Sequence, residues 1–274
     1  MHEKATLVTF TNEFIRISVI NAGIDVTTYD QAVDKIISLS YQLDSTVVCA
    51  ANVHMVMVSY DYSEFAELLQ RAELVTPDGM PLKWALWLLG YRLPDRVYGP
   101  ILADRICAQA AQDHIPIGLY GGTPDSIPIL INVLKNAHPG LHIAYSWSPP
   151  FRDLSSDEDD LVVSQIRASR ARILLVGLGC PRQERWMDSH RSSLPLVMMG
   201  VGAFFDYYSG RVRQAPAWMQ RIGLEWLFRL IMEPRRLWRR YAWNNPRFVF
   251  LFFRQYFLWI LHGRPTLNNI KHST

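Results

Sequence analysis

Arg172-Ile173-Leu174-Leu175-Val176-Gly177-Leu178-Gly179-Cys180-Pro181-Arg182-Gln183-Glu184 starts as an unbroken apolar run, turns on two glycines and resumes as a polar helix start. A short continuous apolar run suits a strand buried on both faces. Glycines behind it let the backbone turn, and Pro181 fits the first turn of a helix. The same grammar recurs outward in both directions. Leu196-Val197-Met198-Met199-Gly200-Val201 follows. Before it come Leu141-His142-Ile143-Ala144-Tyr145, Ile115-Pro116-Ile117-Gly118-Leu119-Tyr120, Leu74-Val75-Thr76 and Thr46-Val47-Val48-Cys49-Ala50. Helical stretches lie between them. Pro124 to Ala137 carries Ile127, Leu130, Ile131 and Leu134 at helical spacing and stops at His138-Pro139-Gly140. Asp157 to Ser169 opens on four acidic residues that suit the positive end of a helix dipole. Strands alternating with helices from about Ile15 to Val201 predict an α/β fold: a mostly parallel sheet with helices on both faces.

In 274 residues, about half of them hydrophobic, there is material for a sizeable core and none of the bias of a disordered chain. Cys49, Cys107 and Cys180 are odd in number and far apart, with no C-x-x-C pair. They suggest neither a zinc site nor a disulfide framework, and fit a reducing cytosol. Met1 to Thr6 shows no basic start followed by an apolar run, so no secretory signal is expected.

The formal charge of +3 conceals an asymmetry. Between Arg211 and Arg264 stand eleven arginines and no lysine, against only Glu225 and Glu233, so the rest of the chain is net acidic. We place a boundary near Gly210, dividing a 1–210 body from a 211–274 basic appendage. Trp218, Trp226, Trp238, Trp243 and Trp259 interleave with those arginines, and Phe248 to Leu261 is nearly all apolar but broken by Arg254-Gln255. That run is too short and too polar to span a bilayer. Rings at headgroup level and guanidinium on phosphate describe a helix lying on an anionic membrane surface. The same residues also suit an interface within a homo-oligomer; the one-sided charge favours the membrane. Nucleic acid is the weaker anionic partner, because so apolar a run serves no purpose on a phosphate backbone.

In parallel α/β sheets, ligands sit beyond the carboxyl ends of the strands. There stand Asn52, Asp78, Gly121-Gly122, Gly179, Gln183, Glu184 and Gly202. Pro77-Asp78-Gly79 is by composition an ordinary turn. Its place after a strand and before the helix from Met80 makes Asp78 a candidate general base. Gly121-Gly122 and Gly179 would let a backbone approach phosphates at a helix N-terminus, or simply close a turn. Neither matches the dinucleotide fingerprint or the phosphate loop. Gln183 and Glu184 would bond a ligand or satisfy the helix end. Arg96 precedes a helix and would clamp a diphosphate or form a surface ion pair. His54 has no partner at metal-ligand spacing.

Taken in order, Asn52-Val53-His54, Thr76-Pro77-Asp78-Gly79-Met80-Pro81, Arg96-Val97-Tyr98-Gly99-Pro100, Leu119-Tyr120-Gly121-Gly122, Val176-Gly177-Leu178-Gly179-Cys180-Pro181-Arg182-Gln183-Glu184-Arg185-Trp186, Gly200 to Asp206 and Gly223 to Leu230 resemble the WecG/TagA/CpsF glycosyltransferase family. The resemblance spans about residues 15–245, with those after about Arg247 outside it. It implies a Rossmann-like body and an inverting, metal-independent transfer that needs no cofactor. A UDP-sugar would be the donor, and a saccharide on undecaprenyl diphosphate the acceptor, for exopolysaccharide, capsule or teichoic acid. Carried over, Asp78 is the general base, Asn52 a substrate contact, Arg96 an acceptor or phosphate contact and Gln183 a donor-sugar contact. Arg229, Arg236 and Arg239 would offset charge on leaving UDP. UDP-N-acetylmannosamine is the first donor to try, before N-acetylmannosaminuronate, glucose and glucuronate. Ala50 stands where the family commonly has Thr, and Gln214-Ala215-Pro216 where it has Arg-Ala-Pro; both bear on donor choice. The place expected is the inner face of the plasma membrane. Two rivals remain: a Rossmann dehydrogenase, which the missing glycine fingerprint disfavours, and a non-catalytic nucleotide-binding or scaffold protein on the membrane, in which Asp78 is a turn residue.

Overall fold

The computed structural model describes residues 9–11 and 14–261. Strands β1 (Thr9–Thr11), β2 (Phe14–Val19) and β3 (Ala22–Asp25) form a small antiparallel sheet, which the alternating pattern of the sequence does not separate from the main one. The body then runs α1 (Tyr29–Gln42), β4 (Thr46–Ala51), α2 (Val53–Asp61), α3 (Ser63–Arg71), β5 (Leu74–Pro77), α4 (Met80–Leu88), α5 (Gly99–Gln112) and β6 (Ile117–Gly121). It continues with α6 (Ser126–Ala137), β7 (Ile143–Trp147), α7 (Ser156–Ser169), β8 (Ile173–Gly177), α8 (Arg182–Ser189), β9 (Val197–Gly200) and α9 (Phe204–Tyr208). Three further helices complete it: α10 (Ala217–Arg221), α11 (Glu225–Met232) and α12 (Pro234–Leu261).

Six strands pair in parallel in the order β5-β4-β9-β8-β6-β7. The predicted parallel α/β sheet is therefore present. Numbered within the sheet, its order is 2-1-6-5-3-4, which differs from the 3-2-1-4-5-6 of dinucleotide-binding folds. Successive residues of a strand face opposite ways, and each face carries a core. Val47, Cys49 and Ala51 of β4 point to one core with residues of α2, α3, α4 and α8, whereas Val48 points to the other with α1, α5, α6 and α9. Such burial on both faces is why the strands read as unbroken apolar runs. The acidic start of α7 also makes a capping box: Ser155 caps the Glu158 amide, and the Glu158 carboxylate accepts from Ser155 N–H.

The segment after Gly210 packs on the body. Phe248 and Phe252 of α12 enter the core on the α2 face. Gln255 bridges the small sheet, accepting from Ile20 N–H at 2.8 Å and donating to the Ser18 carbonyl at 2.8 Å. Arg247 pairs with Asp61 of α2. The opposite face of α12 stays exposed, with Phe250, Phe257 and Leu261 turned outward. Among the described residues, no helix is long and apolar enough to cross a membrane.

Candidate functional site

β4 and β5 pair with Ala50 beside Thr76 and Ala51 beside Pro77. The next residue of each strand is Asn52 and Asp78, so the pairing register itself brings an amide and a carboxylate side by side at the carboxyl edge. Asn52 caps α2: its Oδ1 accepts from the amides of His54 at 3.1 Å and Met55 at 3.3 Å. The same side chain lines the cavity described below. The backbone of Asp78 is pinned by its N–H to the Ala51 carbonyl at 2.9 Å, and Val97 N–H returns to the Pro77 carbonyl at 3.0 Å. The carboxylate accepts from Gly99 N–H at 2.6 Å.

Burial pushes the Asp78 carboxyl up to about 6; the nearby Arg96 charge and the Gly99 amide oppose that rise. Such a group is ionised at neutral pH yet more basic than an ordinary carboxylate, which is the condition for a general base.

Asp78 and Asn52 open into a cavity of about 410 Å³, closed on its other side by the segment after Gly210. Gly223 seats that segment. Its φ is +77°, and a Cβ there would lie 2.5 Å from the Trp84 indole. Two residues on, Glu225 accepts from Arg96 at 2.5 Å and from the Tyr98 hydroxyl at 2.8 Å. Arg96 also donates to Gln220 and lies 4.2 Å over the Tyr98 ring. Arg96 is thus buried and engaged by a carboxylate of the basic segment. It lines the cavity, and its guanidinium is a clasp between body and appendage as much as a ligand contact.

Of the three arginines carried over from the family, Arg229 lines the cavity, with its Nε buried and without a hydrogen-bond partner among the described residues. Arg236 pairs with Glu233 at 2.7 Å and is half-exposed. Arg239 lies over the Trp238 ring and is exposed; neither belongs to the cavity wall. The residue that does join Arg229 is Arg240, which sequence reasoning missed. Its Nε too is buried and unpartnered among the described residues. Burial, reinforced by Arg229 and Arg236, pulls it below the ordinary guanidinium value. Beside it, burial and the Arg240 charge lower the His54 imidazole to about 4, and Asn244 donates to its Nδ1 at 2.9 Å. His54 is therefore neutral. Glu225 and Asn244 were also missed, and one signal stood in the sequence: Glu225 is one of only two acids in an arginine-rich stretch.

The other edge residues lie at β6 and β8, outside the cavity lining. Gly121 is pressed on Gly177, where a Cβ would fall 2.5 Å from its carbonyl, and Gly122 on Ser126 and Phe205. Gln183 is buried; its amide donates to Glu184 at 2.6 Å and its oxygen accepts from Gly179 N–H at 3.2 Å. Burial raises the Glu184 carboxyl. Gly179 and Gly202, by contrast, face open space. Among the described residues, no cluster of three or more His, Cys, Asp or Glu could hold a metal ion.

A carboxyl of raised pKa and two guanidinium groups with buried Nε atoms thus share one cavity at the carboxyl edge of a parallel sheet. The model of the glycosyl transferase WecG/TagA/CpsF family matches residues 17–259, and the chain belongs to that family. The match runs on through most of α12, so the likeness does not stop near Arg247 as the motifs alone suggested. The chain is a glycosyltransferase. It is 29% identical over 195 residues to N-acetylglucosaminyldiphosphoundecaprenol N-acetyl-beta-D-mannosaminyltransferase of Bacillus subtilis (strain 168), covering 71% of this chain and 74% of that one. To the enzyme of the same name from Staphylococcus aureus (strain MW2) it is 26% identical over 227 residues, 82% of this chain and 87% of that one.

Proposed function

We propose that the protein transfers a sugar from a UDP-sugar, N-acetylmannosamine first among candidates, to a saccharide carried on undecaprenyl diphosphate. The observation that carries this reading is Asp78: a carboxylate of raised pKa on the wall of a cavity that also holds Arg229 and Arg240, whose buried Nε atoms have no hydrogen-bond partner among the described residues. The relatives' names supply the lipid-linked acceptor and the sugar to try first. In the transfer, Asp78 takes the proton of the acceptor hydroxyl as its oxygen bonds the anomeric carbon. The bond from that carbon to UDP breaks from the opposite face, with its electron pair leaving on the diphosphate. One displacement of this kind inverts the anomeric centre. Charge growing on UDP is met by preorganised cations, Arg229 foremost, in place of a metal ion. The donor would lie over the carboxyl ends of β4, β9 and β8, toward the open space at Gly179 and Gly202.

The exposed apolar face of α12, together with the surplus of arginines, supports attachment to an anionic membrane surface. Cutting the chain before α12's apolar half would strip Phe248 and Phe252 from the core, so substitutions on the outer face test attachment better. Phe250→Asp with Phe257→Asp should reduce partition onto anionic vesicles; undiminished binding would place attachment elsewhere.

The activity is tested by mixing the full chain with UDP-sugars and a lipid-linked N-acetylglucosamine diphosphate, and following UDP release with and without a chelator. We expect acceptor-dependent release from one donor, unaffected by chelator, with an inverted anomeric centre in the product. Release abolished by chelation contradicts the metal-free mechanism. No release with any donor supports the scaffold reading.

A further inference from the structure

The cavity does not end at its polar groups. The residues of α12 that line it fall on one stripe, two per turn, and their chemistry changes along it: Arg240 and Tyr241, then Asn244 and Asn245, then Phe248 and Val249, then Phe252 and Phe253. A step of four keeps residues on one helix face, and from Arg240 to Phe252 the rise is about 18 Å. Helix α4 makes the facing wall with the same step, Met80, Trp84 and Leu88, leaving from the turn that carries Asp78. The α12 wall therefore passes from polar to apolar along its length, and the α4 wall facing it is apolar throughout.

At the polar end, Arg240 has no ion pair among the described residues, and the neutral His54 beside it offers no compensating charge. A buried guanidinium without a counter-charge is costly and is relieved by an anion. At the far end Val249 and Phe253 belong both to the groove and to the exposed apolar face of α12 that carries Phe250 and Phe257. One molecule carrying an anion at one end and a long hydrocarbon at the other meets both conditions. A nucleotide would leave the apolar turns facing water.

We propose that this groove seats a polyprenyl diphosphate, with Arg240 holding the diphosphate and the α4 and α12 walls holding the first isoprenoid units. The proposal deepens the acceptor reading above and rests on it for the substrate's class. It also gives the chain a route out toward a bilayer without the protein crossing one, and it places the sugar beyond the diphosphate at Asp78.

Binding without turnover tests it. The full chain is heated with farnesyl diphosphate, farnesol, inorganic diphosphate or UDP, and apparent affinities are read from the shift in unfolding temperature. Farnesyl diphosphate should protect at least ~10-fold more tightly than either farnesol or inorganic diphosphate, since both halves of the groove contribute. Arg240→Gln should weaken farnesyl diphosphate ~10-fold, the size of a lost charge-assisted phosphate bond, and leave UDP unchanged. Val249→Asp, at a half-exposed position that tolerates change, should weaken farnesyl diphosphate ~10-fold and spare inorganic diphosphate. Equal loss of UDP affinity in Arg240→Gln would give the cation to the nucleotide and overturn the proposal. So would unchanged farnesyl diphosphate binding in Val249→Asp. Because no sugar is transferred, these outcomes stand apart from the activity: a protein that transfers sugar but fails here loses only the groove, and one that passes here without transferring sugar loses only the catalytic reading.

Discussion

The two halves of the sheet's carboxyl edge carry the same kind of residues and use them differently. At β4 and β5, the residues just past the strands are Asn52 and Asp78, and both face a cavity. At β6 and β8, Gly121 is packed against the Gly177 backbone, and Gln183 is locked between Glu184 and Gly179. What separates the halves is the partner that packs above them. The segment after Gly210 arches over Asn52 and Asp78 and stops short of filling the space, whereas Phe205 and Ser126 fill the space beside Gly122. A polar or glycine residue after an apolar strand marks the edge where ligands bind; the packing of distant segments decides which of them a ligand meets.

That contrast predicts a ranking of effects. Glu225→Ala should be the most damaging to stability, because it removes the carboxylate bonded to the buried Arg96, leaving it only the charge of Asp78 nearby, and takes the acceptor from the Tyr98 hydroxyl. Losing one partner of a buried pair costs about 3–5 kcal/mol. Thermal unfolding should show the loss, and Glu225→Gln should recover part of it by keeping the Tyr98 bond. A melting point unchanged by Glu225→Ala would mean that the appendage is not clasped at this point.

Next comes Gly121→Ala, whose Cβ would meet Gly177 backbone at 2.5 Å with φ at +137°. Strain of this kind costs about 1–3 kcal/mol, whatever ligand is present. Gly179→Ala, at φ +80° in open space, should cost only about 1 kcal/mol of strain. The comparison is sharpened by adding a UDP-sugar. If Gly179→Ala weakens donor binding while Gly121→Ala does not, the two glycines have the separate roles assigned here; equal losses would erase the distinction.

The acid limb of the activity profile follows from Asp78. Its folded-state pKa is raised to about 6, so the carboxylate that accepts the proton is lost as pH falls through that value. The transfer rate should drop about tenfold per pH unit below 6. A profile flat down to pH 5 would remove Asp78 as the titrating base. The same shift has a stability sign. Because the folded pKa lies above the unfolded one, the ionised carboxylate weakens the fold above about pH 6, and protonation on going down through that pH relieves it.

Much of this was legible in the sequence. All six strands of the main sheet were visible as apolar runs; five are buried almost throughout and carry no polar alternation to confuse the reading, whereas the edge strand β7 is half-buried with Ser146 exposed. Their ends shift by a residue or two: Ile115 and Leu141 precede their strands, since only the main-chain bonds of the sheet decide where pairing starts. Asp78 and Asn52 were legible because a parallel sheet puts its ligands at the carboxyl ends. The arginines were legible only as a population. Which of them face inward depends on how α11 and α12 lie against α2 and α4, a tertiary contact that composition does not contain. Motif matching named Arg236 and Arg239, whereas the helical phase of α12 turns Arg240 inward, in step with Asn244, Phe248 and Phe252. A four-residue period was present in that helix, but an aromatic content spread over both faces hid it.

Whether Asp78 removes the acceptor proton is decided by UDP release from Asp78→Asn at saturating donor and lipid-linked acceptor. Asn keeps the size of the side chain and an oxygen for the Gly99 amide, and it removes a destabilising buried charge, so the variant should melt no lower than the parent at pH 8. Without the base, the rate should fall by about a hundredfold or more. Release at the parental rate would contradict it.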